Sequence, residues 1–421
     1  MLRNNKKVLL LLIAIVISVL TTVEPKAFAE KVTIRVANWG PRDLCPVWNI
    51  LQRLMEDHPN IKVEFEYHED HFDKLIMGLV TGQAPDIFLW WDFPGLIEEG
   101  FAEDLTPYLE KSEVLSEDIF FPGVLLYGGK YKDGIYALPH SFTSRVILYN
   151  KDNFDEFGVA YPDGSWTWDE FRGIARKLTA PEKQTYGFDF YHGVYNIGTY
   201  TWSNGGSFMN LEADQALGYC DSPETIEAVE WLASLKLDDG VMPPPGSLSA
   251  GQGFAFGNIA MIDTGSWDIS VSKQANPALR LASALPPHPE GKQLQTVLHS
   301  SGWVLNGACK HKDEALTVLE YLAGPIGQAE MVRQEWALPT IPSVATDFQL
   351  WLSEEQGACL EAAQYAMTPH YFLRTPLWHL YYQSVVQNAL DEVFEGRSAG
   401  HTALTSAARQ LQDLLDYYNK E

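Results

Sequence analysis

Residues 83–100 read QAPDIFLWWDFPGLIEEG. Ile87, Phe88 and Leu89 form a short apolar run that reads as a buried strand, and Pro94 and Gly95 then break the chain ahead of a helix start. An indole is costly apolar surface to leave in water, yet Trp90, Trp91 and Asp92 stand where the strand ends. Neighbours in an extended segment point to opposite sides. One ring is therefore expected to pack and the other to face a cleft, and the reading assigns Trp91 to the cleft beside Asp92.

Upstream, KVTIRVANWG (31–40) alternates Val32, Ile34 and Val36 with polar neighbours, as a strand does. VWNILQRLMEDHPN (47–60) spaces Val47, Ile50, Leu51, Leu54 and Met55 at helical intervals and is stopped by Pro59. IKVEFEY (61–67) alternates again, and FDKLIMGLVTGQ (72–83) predicts a second helix ending near Gly82. The order β-α-β-α-β predicts a parallel sheet with helices on both faces. In such sheets ligands bind beyond the carboxyl ends of the strands, where Trp39 and the Trp90–Trp91–Asp92 group both fall.

Downstream, GGKYKDGIYALP predicts a hairpin and SRVILYN a strand. Thr167 with Glu170 three residues later forms a capping box for one helix, and Ser222 with Pro223 starts another. GACKHKDEALTVLEYLAG and HTALTSAARQLQDLLDYY are amphipathic helices, and MPPPGSLSAGQG and LPPHPEGKQ are loops. No internal repeat is present.

The chain has 421 residues, enough for two or three domains with ample core. Residues 1–29 read as a signal peptide: Arg3, Lys6 and Lys7 precede an apolar run from Val8 to Val23, and Ala27-Phe28-Ala29 fits a cleavage site. The run is short for a span of about 20 residues, and an uncleaved anchor is the alternative. Without the leader, 26 basic residues face 54 acidic ones, a balance of −28. Such acidity argues against nucleic acid as a partner. Cys45, Cys220, Cys309 and Cys359 form no C-x-x-C pair. They allow three disulfide pairings or free buried thiols. Cys45 lacks the context of a lipid-attachment cysteine.

Enzymatic motifs give little. SVSK (270–273) fits Ser-x-x-Lys without the accompanying Lys-Thr-Gly, and GQGFAFG (251–257) reads as a turn, not a dinucleotide loop. His68, Glu69, Asp70, His71 and Asp73 straddle a strand–helix junction at which Asp70 is expected to cap the helix. Neither a metal nor a cofactor is expected. Paired carboxylates of a glycosidase leave no local motif, so a hydrolase stays open on residues alone.

The aromatic content is high, with 13 Trp, 19 Tyr and 20 Phe, and flat rings with a polar edge suit sugars, nucleobases and interfaces. Trp168 and Trp231 read as core. Trp39, Trp90, Trp91, Trp202, Trp267, Trp303 and Trp378 stand beside glycines, strand ends or charged partners, in contexts such as ANWG, YTWSNGG, TGSWD, SSGWV and TPLWHL. Each is either gap-filling or cleft-facing.

In order along nearly the whole mature chain, MEDHPNIKVEFE, LVTGQAPDIFLWWD, GFAEDLTPYL, GIYALP, VILYNKDNFDEFGVAYPDGSWTWDEF, TWSNGGSF, FAFGNIAMIDTGSWD and EALTVLEYLAG resemble the family 1 extracellular solute-binding proteins of ATP-driven importers, which include the maltodextrin-binding proteins. The resemblance implies an α/β fold of two lobes, the type II periplasmic-binding-protein or Venus-flytrap architecture, each lobe a mostly parallel sheet flanked by helices. It implies lobe crossings near 138–145, 298–302 and 337–342. It places one lobe at 30–142 with 300–338 and the other at 143–299 with 339–421. It further implies a non-catalytic monomer that captures a carbohydrate, an oligosaccharide foremost, and delivers it to a membrane permease from the periplasm; a secreted or tethered form is the second choice. The ligand-binding residues carried over are Trp39, Trp90, Trp91, Asp92, Trp202, Trp267, Asp268, Trp303 and Trp378. Trp90 and Trp91 are interchangeable because this chain is one residue shorter at that point. The rival readings are an exported carbohydrate-active enzyme, a ligand-sensing subunit, and the same fold binding a non-sugar solute such as a polyamine.

Overall fold

In the computed structural model the described residues are 31–418 except 43–44, 92, 245, 248, 367–377 and 379–381. The leader at 1–29 and Asp92 lie outside them.

The first sheet is built from the segments around the opening stretch. β1 (Val32–Asn38) lies between β2 (Ile61–Tyr67) and β3 (Ile87–Trp90), parallel to both. Helix α1 (Val47–Asp57) connects β1 to β2 and α2 (His71–Thr81) connects β2 to β3, as the hydrophobic spacing predicts. α1 buries Val47, Ile50, Leu51 and Leu54 along one stripe, each such side chain contributing about 1.5–3 kcal/mol of burial. α2 stops at Gly82, whose φ of 69° is the left-handed cap that glycine adopts without a Cβ penalty. Asp70 holds the N-cap position of α2, but its side chain makes no capping hydrogen bond, which corrects the expected role.

β3 has both faces covered and is buried throughout. Ile87 and Leu89 join the core under α1, while Phe88 and Trp90 join Leu75, Leu79 and Phe93 on the opposite face. Two strands from far along the chain complete this sheet, in the order β2-β1-β3-β9-β4. β4 is Ala137–Ser144 and β9 is Leu298–Leu305, and β9 runs antiparallel to both its neighbours.

The second sheet has the order β8-β5-β7-β6, with β5 at Val146–Asn150, β6 at Asp189–Phe190, β7 at Met261–Thr264 and β8 at Leu281–Ala284. Only the short β6–β7 pair is parallel, so this sheet is more mixed than the parallel arrangement expected. Arg145 alone separates β4 from β5. The chain therefore enters the second sheet directly from the first, without the crossover helix that parallel pairing requires.

Helices α3 (Trp168–Lys177), α4 (Val194–Ser203) and α5 (Pro223–Leu237) pack on this sheet. α3 carries the predicted capping box: the Glu170 amide donates to Thr167 Oγ1 at 3.3 Å, and the Thr167 amide donates to Glu170 Oε2 at 2.7 Å. Trp168 and Trp231 are core as expected, stacked at 4.4 Å and 13°. GQGFAFG departs from the turn reading, because Ala250–Ala255 is a helix, α6. Gly253 is required there by packing: a Cβ would lie 2.5 Å from Ile259 Cδ1. The four cysteines are free and buried. Among the described residues, no helix is long and apolar enough to cross a membrane.

Candidate ligand-binding site

Three stretches run between the sheets, and they form the floor of a cavity of about 470 Å³. β4 and β9 pair Ser141 with Ser301 and Pro139 with Gly302, so His140 is one residue too many, a bulge. The His140 carbonyl accepts a hydrogen bond from Gln328 Nε2 at 3.0 Å, and Gln328 Oε1 accepts from the Thr340 amide at 2.7 Å. Gln328, on α8 (Pro325–Arg333), is fully buried. One amide thus ties β4 to the returning segment at 337–342, where Phe142 also bridges to Leu338. The floor exposes hydroxyls: Ser141 and Ser301 lie 3.5 Å apart, and Ser300 Oγ donates to the Ser141 carbonyl at 3.1 Å.

Aromatic rings form the walls. Trp39 follows β1 and Trp91 follows β3, at the carboxyl ends of parallel strands. Both brace against Phe72 at the start of α2, at 5.9 and 6.4 Å between ring centroids. From the second sheet come Tyr195 on α4 and Trp267, the first residue of α7 (Trp267–Ala275). Trp267 keeps its place because residue 265 is glycine: a Cβ there would lie 2.2 Å from the indole and 2.4 Å from Thr143 Oγ1. The Ser266 amide instead donates to Thr143 Oγ1 at 2.9 Å, fixing the turn against β4. Trp336 adds a ring from the returning segment.

Among the described lining residues of the cavity there is no carboxylate, ammonium or guanidinium. Burial pushes the imidazoles of His140 and His299 down to about 3, and for His299 the nearby Arg145 charge acts in the same direction. Both rings are uncharged at neutral pH. Arg145 itself is buried and spent on Asp263, with Nε 2.7 Å from Oδ1 and Nη2 2.6 Å from the carbonyl oxygen. The Tyr200 hydroxyl donates to the other Asp263 oxygen at 2.6 Å. Among the described residues, no group of His, Cys, Asp and Glu is placed to hold a metal ion. Flat apolar faces over neutral hydroxyls suit an uncharged, hydroxylated molecule.

A model of the bacterial extracellular solute-binding proteins matches residues 47–329. The chain belongs to this family. A binding protein from Brucella abortus is 25% identical over 411 residues, covering 92% of this chain and 94% of the relative. The maltotriose-binding protein of Pyrococcus abyssi is 25% identical over 262 residues, covering 61% of this chain and 54% of the relative. Among solved structures, an ABC substrate-binding protein from Listeria monocytogenes in complex with cycloalternan superimposes with a TM-score of 0.79 at 24% identity, over 92% of this chain and 99% of that one. The fold is the two-lobe type II periplasmic-binding-protein fold.

In this solute-binding protein the expected site residues separate into groups. Trp39, Trp91 and Trp267 line the cavity, with Trp91 and Trp267 40% and 45% exposed. Asp268 lines an adjoining chamber and accepts a hydrogen bond from the Thr264 hydroxyl. Asp92 lies outside the described residues. Four of the tryptophans carried over as ligand-binding stand outside the lining of this cavity, and for Trp90 that is the packed place which the strand reading gave it. Trp90 is the last residue of β3 and its ring is held in the core against Phe72, 5.1 Å away. Trp303 is fully buried in the core of the first sheet with Leu138 and Leu305, edge-on to His140 at 5.1 Å. Trp378 is also fully buried, but it supports the cavity: its Nε1 donates to the Tyr195 hydroxyl at 2.9 Å. Trp202 folds back along its own helix onto Gly198, where a Cβ would lie 2.8 Å from the indole.

Sequence reasoning missed Trp336, Tyr195 and the floor residues. Trp336 sits immediately before the expected third crossing, and the first and second crossings carry Ser141, Thr143, Ser300 and Ser301. A polar, small-residue segment at the first and second crossings is the available signal for the floor.

Proposed function

We propose that this chain is the solute-binding component of an ABC importer, capturing a carbohydrate, an oligosaccharide foremost, between its lobes and delivering it to a membrane permease. One observation carries the reading: indole and phenol rings from both sheets face a common cavity whose floor is a row of neutral hydroxyls. Pyranose rings offer apolar C–H faces to stack and hydroxyls that both donate and accept, which is what such walls and floor complement. A polyamine would need several carboxylates, and none stands among the described lining residues of the main cavity. The maltotriose-binding relative and the cycloalternan complex support a sugar.

The lobes in this proposal are 30–142 with 300–338 and 143–299 with 339–421. They close by a population shift, because only the closed form lets both sets of rings touch the ligand. The protein acts in the periplasm and without turnover. Isothermal titration calorimetry against neutral mono- and oligosaccharides, followed by chromatography of the recovered sugar, tests this. Saturable binding with intact sugar is expected. Cleaved sugar would make the protein an enzyme, and binding only of charged solutes would overturn the ligand class.

A further inference from the structure

Arg145 is the single residue between β4 and β5, and the chain passes from the first sheet to the second through it. Its backbone is tied to the segment entering β9: the Arg145 amide donates to the Val297 carbonyl at 3.1 Å, and the Thr296 hydroxyl donates to the Arg145 carbonyl at 3.3 Å. The Val297 amide in turn donates to Thr199 Oγ1 on α4 at 3.2 Å. The buried guanidinium binds β7 at two points, Asp263 Oδ1 and the Asp263 carbonyl, and the Tyr200 hydroxyl takes the remaining carboxylate oxygen. With those contacts made, its central carbon stands over the Trp267 indole, 5.7 Å from the ring centroid, within the range of a cation–π contact. Taking both charges out of water costs much of what their attraction returns, and burial pushes the Asp263 carboxyl up despite the adjacent guanidinium. Fold stability alone therefore does not account for the pair. What a planar guanidinium held at two points does supply is a fixed position.

We propose that Arg145 is a positioning residue for ligand capture, acting through Trp267 and not by touching the ligand. This rests on the reading of the main cavity as a sugar site. Trp267 is nearly half exposed on the cavity wall. The guanidinium against its ring, and the Thr143–Ser266 contact at its base, set the angle at which the indole faces the cavity. A ring already at that angle stacks without further cost, whereas a free ring must be ordered by the ligand. Because Arg145 is itself a connection between the sheets, a change in their relative placement reaches the ring through one side chain. Lysine keeps the charge but carries no planar fork, so it cannot hold Asp263 at two points and back the indole at once.

The test is calorimetric titration of the full mature chain with malto-, manno- and isomalto-oligosaccharides, followed by a double-mutant cycle on a sugar that binds. The variants are Arg145→Lys, Arg145→Met and Tyr200→Phe, each alone and combined with Trp267→Ala. In the parent chain both Arg145 variants should weaken binding about tenfold. In the Trp267→Ala background the same changes should cost less than about twofold. The near-ultraviolet circular dichroism that Trp267→Ala removes should also differ between the parent and the Arg145→Lys chains. Tyr200→Phe deletes one hydroxyl and no carbon, so it keeps the core filled and decides the case if the Arg145 variants do not fold. It frees one Asp263 oxygen and should weaken binding about threefold, again only where Trp267 is present. Equal losses in both backgrounds, or no loss in any folded variant, would overturn the positioning role while the sugar site stands. If no sugar binds the parent chain, the sugar reading falls and this inference with it.

Discussion

Trp90 and Trp91 are adjacent and chemically identical, yet strand geometry gives them opposite tasks. Trp90 still belongs to β3 and completes a core, whereas Trp91 is the first residue beyond the strand and opens onto the cavity. Replacing Trp91 by Ala should change stability by less than about 1 kcal/mol, since the ring is exposed. Trp303→Ala removes a fully buried indole and should cost about 3–5 kcal/mol. Urea unfolding of the two variants separates these cases. His140 and His299 make a second prediction. Their folded values near 3 lie below the unfolded value of about 6.5, so between these limits the unfolded chain binds protons that the folded chain does not. Stability is full above about pH 6.5 and falls on acidification, by about 2 kcal/mol for each ring at pH 5. Melting temperatures measured from pH 7 to pH 5 should fall, and replacing His299 by Gln should flatten the decline. A curve unchanged by that replacement would place the acid sensitivity elsewhere.

At the scale of elements, the capping box of α3 serves the second lobe's core and lies away from the cavity. Thr167→Ala should cost about 1 kcal/mol in chemical denaturation and leave ligand affinity unchanged. This box was legible in the sequence, as were β1, α1, β2, α2 and β3, because caps and hydrophobic periods are local signals. The second sheet was harder to read. β6 is two residues long, and the partners of β5 come from positions more than a hundred residues away. The helix at Ala250–Ala255 was hidden by two glycines that read as a turn until Ile259 is seen to need the space. The site was legible only in part. Trp39, Trp91 and Trp267 follow strand ends, which sequence can locate. The burial of Trp303 depends on which face of β9 meets the first lobe, and the seat of Trp378 depends on Tyr195, 183 residues away; neither leaves a local trace.

At the scale of the whole molecule, the segments that run between the two sheets also line the floor of the cavity. Gln328 links two of these segments from a fully buried position. Gln328→Ala leaves the His140 carbonyl and the Thr340 amide without that partner and should destabilise the protein by about 1–3 kcal/mol. It should also loosen the relation between the lobes, and small-angle scattering should record a larger radius of gyration in the free variant than in the free parent protein. Closure itself predicts that a saturating sugar contracts the parent protein. The most direct test of the central claim is intrinsic tryptophan fluorescence of the mature chain titrated with neutral oligosaccharides, alongside Trp91→Ala and Trp267→Ala. A saturable emission shift in the parent chain, with affinity lowered about tenfold or more in each folded variant, is the predicted result. Sugar affinity unchanged in both variants would contradict a binding site between Trp91 and Trp267.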